Sequence, residues 1–137
     1  MFRVRTSNAA DRSAAIGAAG PFTLVVDRSQ EAGGDGLGFS GGQLLYLAIA
    51  GCVSNDLFRE ADAAGIHLRQ VAVTVDGDFS GSPAVSDPVS YDVELAGDED
   101  EATLRALVER VDAIAEVPNS LRGGTPVALR GITVLAR

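Results

Sequence analysis

The chain has 137 residues, of which 46% are hydrophobic and 22% charged, and this size and composition predict a single globular domain over residues 1–137. Its 11 basic and 19 acidic residues give a formal charge of -8, which repels both a phosphate backbone and an anionic membrane surface. We therefore expect neither nucleic acid nor a membrane as a partner. With no secretory signal and no apolar stretch long enough to span a bilayer, we expect a cytoplasmic protein. The single cysteine, Cys52, and the single histidine, His67, supply too few ligands for a zinc site, so we expect no metal and no cofactor.

Two short strands are predicted near the N-terminal end, over residues 2–6 and 22–27. The first alternates apolar and polar residues, and the second is rich in β-branched and aromatic residues. A glycine-rich stretch follows, in which Gly36–Gly41 has the pattern G-x-G-x-x-G before a helix. A dinucleotide site needs a strand that runs directly into such glycines, but eight residues separate Asp27 from Gly36. A flexible loop is therefore the favoured interpretation, and a nucleotide site is the weaker alternative.

A long helix is predicted over residues 40–64. Ser40 and Gln43 fit the capping box that begins helices, and Gly65 is suited to the left-handed turn that ends them. The first half of this helix, residues 44–53, is apolar on all sides, so every face of it must be buried. In so short a chain, we expect a partner subunit to supply part of that cover.

Two long antiparallel strands and a second helix are predicted in the rest of the chain. Apolar and polar residues alternate over 67–79 and 85–95, as they do in half-exposed strands. An acidic cluster at 98–101 then precedes an amphipathic helix, which Pro118 is expected to end, and residues 127–135 are predicted to form a final strand. The predicted order is β-β-α-β-β-α-β, an α+β fold with two long helices.

The residue of most chemical interest is Cys52, in the middle of the long helix. A free cysteine is most often an inert, buried, small hydrophobe. A nucleophile must instead form its thiolate, and the carboxylate at i+4, Asp56, opposes ionisation unless a cation offsets it. Arg59, at i+7, or an arginine from elsewhere in the fold is the candidate for that cation. The residues alone leave both packing and catalysis open.

The helix around Cys52 resembles the central helix of the OsmC/Ohr family. Residues 42–57 read G-Q-L-L-Y-L-A-I-A-G-C-V-S-N-D-L. The family helix typically reads P-x-x-L-L-x-x-A-L-G-x-C, and one OsmC-like branch has an Asp four residues after the Cys. Ala64-Gly-Ile66, the V-x-V-x-V strand after it, and Val117-Pro-Asn-Ser120, which is similar to the family's C-P-V-S segment, extend the resemblance over nearly the whole chain.

The resemblance implies an intertwined homodimer with two long central helices in each subunit. It also implies a thiol peroxidase, in which one Cys attacks a hydroperoxide to become a sulfenic acid and a second Cys condenses with it to a disulfide. In the family, an Arg and a Glu hold the first thiolate in its reactive state. Cys52 matches the attacking Cys, whereas Val117 replaces the second Cys, Gly42 replaces the Glu, and Arg12 is the candidate for the Arg.

Two functions follow as alternatives. In the first, Cys52 reduces organic hydroperoxides in oxidative stress defence by a one-Cys cycle, with Arg12 and Asp56 as further site residues and an external thiol as the reductant. In the second, the dimer is catalytically degenerate and binds a small hydrophobic ligand in an apolar pocket that Cys52 only lines. The retained Cys52 favours the first alternative, and the replaced Glu and second Cys favour the second.

Overall fold

The structure, a computed structural model, describes residues 1–135 and begins with a three-stranded antiparallel sheet. Its strands are β1 (Arg5–Asn8), β2 (Ala15–Ala19) and β3 (Phe22–Val26), paired in the order β1-β2-β3. β3 confirms the strand predicted over 22–27. β1 begins three residues later than predicted, because residues 1–4 are exposed and pair with no strand of the described chain. β2 was not predicted, since its sequence Ala-Ile-Gly-Ala-Ala has few strand-forming side chains.

The long helix α1 (Gly41–Ala63) begins and ends as predicted. The Ser40 Oγ accepts a hydrogen bond from the Gln43 amide at 3.2 Å, and the Gln43 Oε1 accepts one from the Ser40 amide at 2.9 Å. At the other end Gly65 has φ +70°, and the Ile66 amide donates to the Ala61 carbonyl at 2.8 Å. Both ends of α1 are therefore closed by hydrogen bonds that local sequence is sufficient to specify.

A second sheet consists of β4 (Leu68–Asp76) and β7 (Ser90–Gly97), which pair antiparallel. Between them β5 (Phe79–Ser80) and β6 (Val85–Ser86) form a separate short hairpin, so the two predicted long strands are each interrupted. A Cβ at Gly77, just after β4, would lie 2.6 Å from Cζ of Tyr46. The glycine lets the chain pass the tyrosine ring as it leaves the sheet.

Two helices follow, where one helix ending at Pro118 was predicted. α2 (Glu101–Ile114) begins with the Asp100 carboxylate accepting from the Thr103 amide at 2.8 Å, and it ends before Ala115, whose ψ is 122°. Pro118 does not end α2. It lies in the first turn of α3 (Glu116–Arg122), where a missing N–H removes no intrahelical hydrogen bond.

The final strand predicted over residues 127–135 is wrong for the single chain, because these residues have no regular secondary structure. The segment is rich in β-branched residues, as a strand would be, but no strand of the described chain lies beside it to accept its hydrogen bonds. Its large apolar side chains are all at least 79% exposed: Val127, Leu129, Ile132, Val134 and Leu135.

The core lies where α1 and α2 pack on one face of the β4–β7 sheet, and this arrangement confirms the α+β class. Its buried side chains come from both helices, the sheet and the α2–α3 junction: Val53, Leu57, Ala61, Leu68, Leu107, Val111 and Ala115. In the described part of the chain, no helix has both the length and the apolar character needed to cross a membrane.

The opposite side of α1, formed by Leu47, Gly51 and Phe58, is what we call the open face. Leu47 and Phe58 are 50% and 46% exposed, and a Cβ at Gly51 would meet no atom within 4 Å. Within one chain the apolar first half of α1 is therefore covered on one side only. The expectation that every face of it is buried is not met unless a second molecule covers the open face.

Candidate functional site

Cys52 lies at the edge of the core. It is half-buried, and it packs against the buried cluster that α1, α2 and the β4–β7 sheet form together. Tyr91 of β7 packs against the same cluster. Helix geometry places Cys52 about 100° around α1 from Gly51, between the open face and the buried one. A molecule that approaches along the open face can therefore contact the thiol without entering the core.

The polar surroundings of Cys52 come from its own helix. Its Sγ donates to Oδ2 of Asp56 at 3.9 Å, and the Nη1 of Arg59 lies 2.8 Å from Oδ1 of the same carboxylate. Asp56 is only 7% exposed, so its charge acts on the thiol through little water. The structure thus brings together the predicted Cys52, Asp56 and Arg59 in one line along α1. Arg59 therefore lies where its positive charge can offset that of Asp56, as the spacing along the helix predicted.

The line continues to α2 through two further charged side chains. The Nε of Arg59 lies 3.3 Å from Oε1 of Glu60, and Oε2 of Glu60 lies 3.0 Å from Nη2 of Arg110. The hydrogen bond to Glu60 and the charges of Asp56 and Glu60 raise the pKa of Arg59, so its positive charge is permanent. Neither Glu60 nor Arg110 was identified from the sequence, because their contact depends on how α1 and α2 pack.

Arg12, the predicted family arginine, lies elsewhere in the single chain. It sits on the turn between β1 and β2, and its Nη1 is 3.4 Å from Oδ1 of Asp35 in the glycine-rich loop. Its side chain is 65% exposed. The polar neighbours of Cys52 within one chain therefore come from α1, and a contact of Arg12 with the thiol stays a prediction about the assembled protein.

The glycine-rich loop is ordered around a buried carboxylate, Asp27, which is 4% exposed. Its oxygens accept hydrogen bonds from the Ser13 hydroxyl (3.1 Å) and from the amides of Arg28 (2.8 Å), Asp35 (3.1 Å) and Leu37 (3.1 Å). These bonds, that of the Leu37 amide foremost, lower the pKa of Asp27. The loop amides that would cradle a phosphate already bind this carboxylate, and the strands around the loop are mainly antiparallel. Both findings oppose the nucleotide alternative.

The role of Asp27 was not predicted from the sequence. The available signal was an acidic residue at the end of a strand, directly before a loop whose glycines leave the backbone amides unobstructed. At Gly34 a Cβ would lie 2.2 Å from the carbonyl oxygen of Arg28, so the loop closes around Asp27 only with glycine at that position.

Gly42 and Val117, the two positions at which the sequence resemblance predicts replaced working residues, have distinct surroundings. A Cβ at Gly42 would lie 2.7 Å from Cε2 of Phe79, whose ring stacks on Tyr46 at a centroid distance of 5.7 Å. A larger residue at position 42 must therefore displace that ring. Val117 is the second residue of α3 and is half-buried.

A hydrogen-bonded group fixes α3 against the second sheet. Arg122 Nη2 lies 2.6 Å from Oδ1 of Asp112, and the Tyr91 hydroxyl donates to the same oxygen. Burial and this carboxylate raise the pKa of Tyr91 to about 12, and the hydrogen bonds from Tyr91 and Arg122 lower the pKa of Asp112. The neutral phenol and the charged carboxylate are thus the stable forms, and they hold α2, α3 and β7 together.

A cavity of about 450 Å³ lies between the first half of α1, the start of β7 and α3. Its lining is mainly apolar and includes Leu45, Ile49, Val89, Tyr91, Pro118 and Leu121. Cys52 follows Ile49 by three residues, which places it one turn further along the same side of α1. The cavity is the size of a small-molecule site and adjoins the thiol's side of the helix.

Comparison with known proteins identifies a matching family and several similar structures. The family model of OsmC-like proteins matches residues 33–130, and no curated protein sequence matches the chain. A similar solved structure is that of the OsmC-like protein from Mycoplasma pneumoniae, at TM-score 0.78 and 18% identity over 90% of this chain and 88% of that one.

Two further similar structures are of organic hydroperoxide resistance proteins. The OsmC protein of Legionella pneumophila has a TM-score of 0.67 and 18% identity, with 90% of each chain covered. OhrB of Bacillus subtilis has a TM-score of 0.61 and 16% identity, with 90% of this chain and 91% of that one covered. Because the family match runs from the glycine-rich loop through α1, the second sheet and both C-terminal helices, the chain belongs to the OsmC-like protein family.

Proposed function

We propose that this protein is a cytoplasmic one-Cys thiol peroxidase that reduces organic hydroperoxides in oxidative stress defence. The observation that carries the proposal is the Cys52–Asp56–Arg59 arrangement, in which a half-buried thiol lies 3.9 Å from a carboxylate whose charge an arginine offsets at 2.8 Å. Family membership and the similar hydroperoxide resistance proteins of Legionella pneumophila and Bacillus subtilis support the same substrate class.

In the proposed reaction, the Cys52 thiol loses its proton to water, while Asp56 stays a carboxylate whose charge Arg59 offsets. The thiolate then attacks the terminal peroxide oxygen, the O–O bond breaks, and the departing alkoxide takes a proton from water and leaves as an alcohol. Cys52 is oxidised by two electrons to a sulfenic acid as the hydroperoxide is reduced. Arg59 favours this step because its charge next to Asp56 reduces the repulsion between the carboxylate and the developing thiolate.

The cycle must close through a thiol from outside the chain, because Val117 replaces the family's second Cys and Cys52 is the only cysteine. An external thiol condenses with the sulfenic acid, releasing water and leaving a mixed disulfide. A second external thiol then releases Cys52 and departs as the external disulfide. Until an external thiol reacts with it, the sulfenic acid is exposed to further oxidation. Excess peroxide therefore converts part of it to the irreversible sulfinic acid.

The active form is a homodimer in which the open face of α1 contacts a second copy. Leu47 and Phe58 leave an apolar surface uncovered in the single chain, and Gly51 between them permits close approach of another backbone. The exposed apolar segment 127–135 offers a second surface for the same partner. Such a dimer would place further residues beside Cys52, and Arg12 of a second copy is the candidate for one of them.

A specific observation favours a second function, the binding of a small hydrophobic ligand without catalysis. The cavity between α1, β7 and α3 has the size and apolar lining of a ligand site. At the position that the resemblance assigns to the family's supporting Glu, this chain has Gly42, which supplies no carboxylate. A thiol that only lines a pocket needs neither a reductant nor a thiolate.

The deciding experiment is to expose the purified protein to one equivalent of an organic hydroperoxide and trap any sulfenic acid with dimedone. The peroxidase is expected to gain a single dimedone adduct on Cys52, detected by mass spectrometry, and to turn over when a small dithiol is added. Cys52→Ser is the matched control and should show neither. A wild-type protein that gives no adduct and consumes no peroxide would refute the peroxidase and leave the ligand-binding function.

A further inference from the structure

Glu60 and Arg110 are two charged residues near Cys52 that make no hydrogen bond to it and have no counterpart among the residues that the resemblance assigned a role. Glu60 holds Arg59 through Nε at 3.3 Å, while Arg59 also holds Asp56 through Nη1 at 2.8 Å. Arg110 of α2 in turn lies 3.0 Å from the other oxygen of Glu60. The side chain of Glu60 is only 13% exposed, so these contacts form with less competition from water than an ordinary surface pair.

The four charges form an alternating row that ends at the thiol: Asp56, Arg59, Glu60, Arg110. Arg59 divides its guanidinium between two carboxylates, and each one weakens its hold on the other. The charge of Arg110 offsets that of Glu60, and this weakens the pull of Glu60 on Arg59. Arg59 therefore interacts more strongly with Asp56. Without Arg110, Glu60 would draw Arg59 away from Asp56, and the uncompensated Asp56 would oppose the thiolate more strongly.

We propose that Glu60 and Arg110 are positioning residues that act in opposite directions on the reactivity of Cys52, through their competition for Arg59. This inference rests on the proposed thiol chemistry, and it assigns to the contact between α1 and α2 the task of setting how much of the thiol is ionised. A neutral Glu60 leaves Arg59 to Asp56 alone and favours the thiolate. A neutral Arg110 has the reverse effect.

Of the other charged side chains near this row, Asp62 is ten residues from Cys52 on α1, and Glu109 of α2 lines a cavity with Val93 of β7. On α2, Asp112 is bonded to Arg122 of α3 and to Tyr91 of β7. β4 faces the cluster around Cys52 with the apolar side chains of Val71 and Val73. Within the described chain, the row of Asp56, Arg59, Glu60 and Arg110 is therefore the charge system that acts most directly on the thiol.

The size of the effect comes from how Arg59 is shared, because the direct effect of the outer charges is small. Glu60 is eight residues after Cys52 on one helix, about 12 Å along its axis, so in about 0.15 M salt its direct effect on the thiol is screened to about 0.1 unit or less in the pH of half-maximal reactivity. A change in how strongly Arg59 pairs with Asp56 has the strength of a partly exposed ion pair, which corresponds to about 0.3–0.5 unit. The shift should shrink as more salt is added, because both arginines of the row are exposed.

The test is the rate of Cys52 alkylation by iodoacetamide between pH 5 and 10 in the full-length, folded protein. Arg110→Gln should raise the pH of half-maximal rate and Glu60→Gln should lower it, each by about 0.3–0.5 unit. The double variant and Arg110→Lys should both stay near the wild-type value. Arg105→Gln is the matched control. It removes another α2 arginine, but one whose carboxylate partner, Glu101, belongs to the same helix and is 78% exposed.

A second background separates competition for Arg59 from a direct effect of charge. In Arg59→Gln protein, the two opposite shifts should fall to less than half of their size. Shifts in the same direction, no shift in either variant, or full shifts in the Arg59→Gln background would each overturn the inference while leaving the peroxidase intact. A wild-type Cys52 that resists alkylation at every pH would overturn both, and the dimedone experiment would then also fail.

Discussion

Replacing Gly51 with leucine tests whether the protein is a monomer or a dimer. The substitution is expected to raise the stability of an isolated chain but to weaken the association of a dimer. Gly51 lies in the middle of α1 on its open face, and an added Cβ would meet no atom of the same chain within 4 Å. A glycine inside a helix is about 0.8 kcal/mol less favourable than leucine. In an isolated chain, Gly51→Leu should therefore stabilise the fold and raise Tm by about 2–4 °C.

In the proposed dimer the same substitution should weaken association. Each subunit would place an extra side chain where close approach of two helices needs a glycine, and overpacking typically costs about 1–3 kcal/mol per site. Two symmetric sites give about 2–6 kcal/mol, which raises the dimer dissociation constant at least about 30-fold. We expect sedimentation velocity over a concentration series to show the wild type as a dimer at micromolar concentration and Gly51→Leu shifted towards monomer.

Gly41→Leu is the matched control for this substitution. Gly41 also belongs to α1 and also has no atom within 4 Å of an added Cβ, but it lies at the first helical position, away from Leu47 and Phe58. It should leave the dissociation constant unchanged. A Gly51→Leu protein that stays dimeric and melts at higher temperature would show that the open face is not the subunit contact.

Three further outcomes test the surroundings of the site. Tyr91, whose pKa is raised to about 12, stabilises the folded state below pH 10 and loses that contribution as pH rises from about 10 towards 12. Over that range, the free energy of unfolding measured in urea should fall by about 1 kcal/mol more for the wild type than for Tyr91→Phe. Gly38→Ala should lower Tm by more than about 5 °C in a thermal scan, since its Cβ would lie 2.1 Å from a backbone oxygen, whereas Gly41→Ala should not. Val117→Cys should form an intrachain disulfide with Cys52 on addition of peroxide, seen as a loss of two hydrogens by mass spectrometry, provided that their Cα atoms come within about 7 Å.

The ends of α1 could be predicted from the sequence because they depend on neighbours in the chain. Ser40, Gln43 and Gly65 satisfy backbone groups within a few residues of themselves, and the structure shows those hydrogen bonds. The spacing of Cys52 and Asp56 is equally local, since i and i+4 share one side of any helix. Such features need no knowledge of the tertiary fold.

The wrong predictions depend on contacts between distant parts of the chain. The long strand over 67–79 is interrupted at Gly77, where the ring of Tyr46 packs, and that contact joins residues 31 positions apart. Residues 127–135 have the β-branched composition of a strand, but a strand exists only beside a partner, and the described single chain supplies none. Pattern therefore predicted which segments favour a strand, and pairing decided which of them form one.

The position of Cys52 makes the assembly and the chemistry a single question. At about 100° from Gly51, the thiol borders the open face, while Asp56 and Glu60 turn towards the buried side and Arg59 lies between. The buried side of the row is complete within one chain, because Arg110 of α2 ends it with a cation. On its exposed side the thiol borders Leu47 and Phe58, and in the proposed dimer the residues that meet it there come from the second copy. The predicted contact of Arg12 with Cys52 depends on that same copy, so the proposed assembly and the proposed chemistry are tested together.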